Sequence, residues 1–156
     1  MTKLTTLLEE LSDDDIQWLL AAGVEERVEP GTVVISEGEY IGSIYMVLEG
    51  TLGVYISVTN PRLLNTVGAG EILGEMSYLE DKPTAATVIA LENVVLLNIS
   101  REALDNKMYD EPDFGRRFYK GIGIFMSRRL RQVNTRMDYI LEALELAKRW
   151  PLEDTP

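Results

Sequence analysis

Glu75 is the side chain of this sequence best placed to do chemistry. It follows Gly74 and opens a short apolar segment, Glu75–Leu79, set between two strand-like stretches. The glycine lets the backbone approach a bound molecule closely or take a positive φ. A helical turn that starts at Glu75 leaves N–H groups unpaired, an arrangement that favours an anion. The Glu75 carboxylate itself can accept hydrogen bonds from the hydroxyls of a ligand. The plainer reading of the same residues is a strand-to-helix corner made by Gly74 and capped by Glu75.

Little other chemistry is open to the chain. Its 156 residues contain no histidine and no cysteine. Nucleophile–imidazole pairs need histidine, and zinc sites of the usual type and disulfides are excluded as well. No loop with the calcium-binding spacing is present. The expectation is a protein that is not an enzyme and holds no metal. The charge is uneven: residues 1–100 carry 16 acidic and 4 basic side chains, and residues 101–156 carry 10 and 11. An acidic first part repels nucleic acids and membrane surfaces, although plain solubility accounts for it as well. No apolar run reaches the roughly 18 residues of a membrane span. The start, Met1-Thr2-Lys3-Leu4, is unlike a signal peptide. A cytoplasmic location is expected.

One or two short amphipathic helices are expected over residues 4–22, with Ser12 as N-cap ahead of Asp13-Asp14-Asp15 and Gly23 as terminator. Seven strands follow: Glu25–Val28, Thr32–Ser36, Ser43–Leu48, Thr51–Val58, Leu63–Val67, Thr84–Leu91 and Val94–Ile99. They are rich in Val, Ile, Thr and Tyr, and turn residues such as Pro30-Gly31, Glu37-Gly38 and Asn60-Pro61 separate them. Many short strands at regular spacing argue for a sandwich or barrel.

Beyond Ile99 the chain reads as helix. A short one is capped by Ser100 and runs to about Lys107. A long one runs from about Asp113 to Trp150, roughly 55 Å at 1.5 Å per residue. Gly121 and Gly123 weaken it early and suggest a bend. Met126, Leu130, Val133, Met137, Ile140, Leu144 and Ala147 recur along it at spacings of 4 and 3. This is a heptad seam with Leu130, Met137 and Leu144 at a and the others at d. It outruns a domain of about 100 residues, whose radius of gyration is roughly 13 Å. A parallel homodimer through the long helix is therefore expected. Arg129 and Arg136, at g, have no acidic partners at e.

The run Gly70-Glu71-Ile72-Leu73-Gly74-Glu75, followed by the apolar turn and Pro83-Thr84-Ala85-Ala86-Thr87-Val88, resembles the phosphate-binding cassette of cyclic nucleotide-binding domains. Pro30-Gly31-Thr32, Glu37-Gly38-Glu39, the strand and turn Ile44–Gly50 and Ser127-Arg128-Arg129-Leu130 are similar to further elements of that family. They occur in its order, over roughly residues 7–135. The resemblance implies a jelly-roll-like β barrel flanked by helices. It also implies that Glu75 accepts bonds from a ribose hydroxyl. Gly74, Glu75, Met76, Thr84 and Ala85 would line the ligand, with its base end near Val133 or Asn134.

One residue departs from the family pattern. Thr84 stands where the family has an arginine that neutralises the cyclic phosphate. Losing one partner of a buried charge pair costs about 2–5 kcal/mol, or roughly 30- to 3,000-fold in affinity. Lys82 is the alternative cation, although Pro83 makes it more a loop-tip residue. Transcription factors of the family carry a helix-turn-helix after the long helix. The six residues after Trp150 are too few for one, so direct contact with nucleic acid is not expected.

The expected fold class is mainly β with flanking helices. A jelly-roll-like double-stranded β barrel with N-terminal helices occupies residues 1–110, a long C-terminal dimerisation helix 111–150, and a tail 151–156. The expected function is a stand-alone regulatory sensor with weak or altered binding of a cyclic nucleotide or another small effector, read by a separate effector protein. The alternative is a ligand-free dimeric scaffold.

Overall fold

Side chains alternate in and out along a strand, and in this chain the alternation sorts the apolar residues into two cores. The computed structural model describes residues 7–56 and 59–150. Residues 4–6 of the expected first helical segment, Ser57 and Val58 of the expected fourth strand, and the tail 151–156 lie outside the described residues. The strands are β1 Val24–Val28, β2 Val33–Ile35, β3 Ser43–Glu49, β4 Leu52–Ile56, β5 Arg62–Val67, β6 Ile72–Leu73, β7 Thr87–Ala90 and β8 Val94–Ser100. They form two antiparallel four-stranded sheets, in the orders β1-β8-β3-β6 and β2-β7-β4-β5. Eight strands in two facing sheets make a jelly roll.

Between the sheets, Val47, Leu96 and Val94 pack with Leu52, Val67 and Val88. On the outer face of the first sheet, Ile44 pairs in register with Ile99, and Met46 with Leu97. These four meet the helices. The helices are α1 Asp13–Ala22, α2 Glu75–Glu80, α3 Arg101–Asp110 and α4 Pro112–Arg149. Phe114, Phe118, Ile122 and Phe125 of α4 close this outer core together with Leu7, Leu19 and Leu104.

Three expectations change. The strand read as Thr84–Leu91 begins only at Thr87, because Thr84 is bonded crosswise to the loop after β2, as described below. The two-residue β6 is a strand that the seven-strand reading lacks; Ile72 and Leu73 pair with Met46 and Tyr45, and so short a segment shows no alternation. The long helix continues unbroken through Gly121 and Gly123. Gly121 is there for space, since an added Cβ would collide with Leu7.

Asp15 ties α1 to α4. Its N–H donates to the Ser12 hydroxyl (3.2 Å) and its carboxylate accepts from the Ser12 N–H (2.9 Å), a reciprocal cap. The same carboxylate accepts two bonds from the Arg117 guanidinium, at 2.7 and 2.9 Å. Asp15 is 3% exposed. The Arg117 hydrogen bonds hold its carboxyl at about 2, below the ordinary 3.8, against the opposing effect of burial. A depressed folded value means that the stabilisation is complete above about pH 4 and is lost as pH falls toward 2. That share, about 2 kcal/mol, should disappear from the acid limb of an unfolding titration in Asp15→Asn. Equal acid sensitivity in both proteins would refute the assignment.

Candidate functional site

The segment after β6 turns sharply because Gly74 takes φ +84°, a left-handed conformation that L side chains avoid. A Cβ there would also lie 2.6 Å from Ile41 Cδ1 and 3.2 Å from the Ser43 carbonyl. Gly74 thus serves as N-cap of α2 with no side chain to cap it. The far end of α2 is held from below. The Arg101 guanidinium donates to the carbonyls of Ser77 (3.1 Å) and Tyr78 (3.3 Å) and lies 5.0 Å from the centre of the Tyr78 ring. A cation at a helix C-terminus is electrostatically favourable. The buried Ser77 hydroxyl donates to the Lys82 carbonyl at 2.5 Å. Tyr78 points away from the cassette into the helical core, where its hydroxyl donates to Asp105 (3.0 Å) and its ring stacks on Tyr119. Arg101 and Ser77 are structural parts of the site that the sequence did not single out. A signal for Arg101 existed only in its position directly after the Ser100 cap.

Glu75 opens α2 and is partly buried. Among the described residues no cation pairs with it. Burial pushes its carboxyl up from 4.5 to about 7, opposed by its own backbone N–H. The carboxylate is therefore poised near neutrality and has acceptor capacity to spare.

Thr84 is 7% exposed, and its hydroxyl proton is already committed. The hydroxyl donates to the Ser36 carbonyl (2.5 Å) and accepts from the Glu39 N–H (3.1 Å). Its N–H donates to the Glu39 carbonyl (2.8 Å), and its carbonyl accepts from the Gly38 N–H (2.9 Å). Thr87 accepts from the Glu37 N–H (3.1 Å) in the same way. The arm of the cassette is thus stitched to the loop between β2 and β3, and this is why β7 starts late. Met76 is 47% exposed, and Ala85 is exposed.

The cations that come near the cassette are committed elsewhere. Lys82 is exposed and pairs with Glu80 at 3.3 Å, as a loop-tip residue would. Arg101 holds the end of α2. Arg129 of α4 forms an ion pair with Glu71, just ahead of β6, and lies over the Phe125 ring. Arg136 donates to the Leu64 carbonyl (3.1 Å). Both arginines thus bond the chain's own barrel. Val133 is 49% exposed and Asn134 is exposed too, with no hydrogen bond from Asn134 to the cassette among the described residues. An open depression of about 510 Å³, lined by Glu111, Pro112, Asp113, Phe114 and Arg117, lies at the start of α4 rather than at the cassette.

The sequence model of the cyclic nucleotide-binding domain matches residues 25–110, strand β1 to the end of α3. The chain belongs to the cyclic nucleotide-binding domain family. It is 29% identical over 115 residues to the cAMP-dependent protein kinase type II regulatory subunit of Drosophila melanogaster, covering 67% of this chain and 30% of that protein. The chain thus spans less than a third of that relative. A cyclic nucleotide-binding domain from Methylobacillus flagellatus superposes with a TM-score of 0.77 at 22% identity, over 85% of this chain and 81% of the other, which shows the shared fold. The regulatory subunit of a cAMP-independent protein kinase A from Trypanosoma brucei superposes with a TM-score of 0.61 at 27% identity, over 74% of this chain and 44% of the other. Among the described residues, no helix of this domain is long and apolar enough to cross a membrane.

Proposed function

We propose that this domain is a regulatory sensor whose cassette takes a hydroxyl-bearing small molecule without a phosphate in preference to a cyclic nucleotide. The observation that carries the reading is the Thr84 hydroxyl, already bonded to Ser36 and Glu39, at the position where the family has its phosphate cation. Among the described residues, the cations that come near the cassette, Lys82, Arg101 and Arg129, all have other partners. Glu75, by contrast, keeps an unpaired carboxylate beside a glycine corner, suited to a pair of ligand hydroxyls. Gly74, Glu75, Met76 and Ala85 would line the ligand, with Val133 and Asn134 nearest its far end. A relative described as cAMP-independent is compatible with loss of the cyclic phosphate as ligand.

The test is calorimetry with cyclic AMP against adenosine, which keeps base and ribose without the phosphate. Cyclic AMP should bind with a dissociation constant above about 100 µM, and adenosine no worse. Nanomolar cyclic AMP binding would overturn the reading. A response to neither, nor to a wider screen of cyclic dinucleotides and small aromatic acids, would favour the ligand-free scaffold.

Output would pass through α4, whose apolar row Leu130, Val133, Met137, Ile140 and Leu144 is about half exposed throughout. A second copy pairing along these heptads gives a parallel homodimer, and a ligand with different affinities for two helix arrangements would shift it. A separate effector protein would read the shift. Leu130→Asp together with Met137→Asp should abolish the pairing. Light scattering that finds the wild type monomeric at micromolar concentration would sink the dimer.

A further inference from the structure

The face of α4 that packs on the barrel does not end where the barrel does. It carries Phe118, Ile122 and Phe125 in the core. At the same spacings of 3 and 4 it continues through Arg129, Gln132 and Arg136, whose arginines bond Glu71 and the Leu64 carbonyl. Past Arg136 the same row turns apolar again, at Tyr139, Ala143, Leu146 and Trp150. Among the described residues nothing covers it there: Tyr139 is 68%, Leu146 56% and Trp150 78% exposed.

This row lies about 100° around the helix from the neighbouring seam residues Ile140, Leu144 and Ala147, at roughly 100° per residue. A narrow a/d stripe suffices for a two-stranded coil, whereas a helix of a bundle needs a broader apolar face. In a four-helix bundle each helix meets two neighbours on faces roughly 90° apart. The end of α4 has two such faces.

We propose that Tyr139, Ala143, Leu146 and Trp150 form a second self-association seam, on which the tips of two dimers pair antiparallel into a tetramer held by a four-helix bundle. This rests on the parallel-dimer reading above. The row is complementary to itself in the antiparallel sense. With the two-fold axis between Ala143 and Leu146, the small Ala143 faces Leu146 and Tyr139 faces Trp150. On the flank, where like positions meet in antiparallel helices, Glu142 comes opposite Arg149. A parallel pairing would instead set Trp150 against Trp150 and Ala143 against Ala143, crowded at one level and empty at the other. The overlap, residues 139–150, is about 18 Å long, and the arrangement closes with dihedral symmetry, the commonest form for tetramers.

Sedimentation equilibrium of the full chain at micromolar concentration tests it. The wild type should show four times the 17.6 kDa chain mass. Leu146→Lys with Trp150→Lys should give a dimer with unchanged helix content by circular dichroism. Glu142→Lys should weaken the tetramer by about tenfold or more, and adding Arg149→Glu to it should restore the wild-type mass. A wild-type dimer whose mass the Leu146/Trp150 variant leaves unchanged overturns the second seam and leaves the dimer reading standing. A wild-type monomer overturns both. A dimer lost in the Leu146/Trp150 variant but kept in the Leu130/Met137 variant would make this row the dimer seam itself, which refutes both the tetramer and the parallel pairing.

Discussion

Thr84→Arg should gain affinity for cyclic AMP and lose stability in the same step. A guanidinium at this position restores a charge-assisted, bidentate partner for the cyclic phosphate. By the cost of a missing buried partner, about 2–5 kcal/mol, the gain is roughly 30- to 3,000-fold. The loss has a separate origin. Thr84 Oγ1 now satisfies the Ser36 carbonyl and the Glu39 N–H, and both bonds go when the hydroxyl goes. Two such bonds between partly buried groups are worth about 1–3 kcal/mol. Thr84→Val serves as control, since it should show the loss of stability without any gain in binding. Calorimetry and denaturant unfolding on the two variants separate the terms. An arginine variant as stable as the wild type, or one with no better binding of cyclic AMP, would contradict this account of the cassette.

The second large effect belongs to Glu75. Its carboxyl ionises at about 7 in the fold and at 4.5 in the free state. A raised carboxyl value means the fold is favoured fully below about pH 4.5, and that the advantage is lost as pH rises through 7. The full interval corresponds to about 3 kcal/mol, nearer 2 after allowance for partial exposure. Glu75→Gln should therefore leave stability near pH 4.5 almost unchanged and raise it by about 2 kcal/mol at pH 8. If the ionised carboxylate holds the ligand's hydroxyls, binding should strengthen by up to about tenfold per unit between pH 5 and 7, then level off, and Glu75→Gln should flatten that profile. Parallel stability curves for the two proteins across this range would refute a buried, unpaired carboxylate. The variant thus exchanges function for stability, as strained sites commonly do.

These two residues also mark how far the sequence could be read. Seven of the eight strands were legible because alternating Val, Ile and Tyr between glycine turns can do little else. The corner at Gly74 was legible because a positive φ needs glycine. Thr84 was legible as a missing cation. Its actual work was not, since its partners Ser36 and Glu39 lie 48 and 45 residues away and a hydroxyl gives no pattern that points to a distant carbonyl. The same holds for Arg101, whose hydrogen bonds under α2 cross 23 and 24 residues. β6 was missed because two residues cannot display a period. The row from Tyr139 to Trp150 was not read beside the Met126–Ala147 seam; it stands out only where the exposure of Tyr139, Leu146 and Trp150 is seen past Arg136.

The placement of the two tryptophans gives the chain a pair of built-in optical probes. Trp18 sits in the outer core, edge-on to Phe114 at 5.3 Å and beneath the Lys107 ammonium. Trp150 stands at the tip of α4, 78% exposed. The emission of Trp18 follows unfolding of the domain, and that of Trp150 follows whatever covers the tip. With Trp150→Phe and Trp18→Phe each reporting alone, folding and association can be read from one unlabelled chain, and a tip that is wet in the dilute protein should shift to the blue as copies gather.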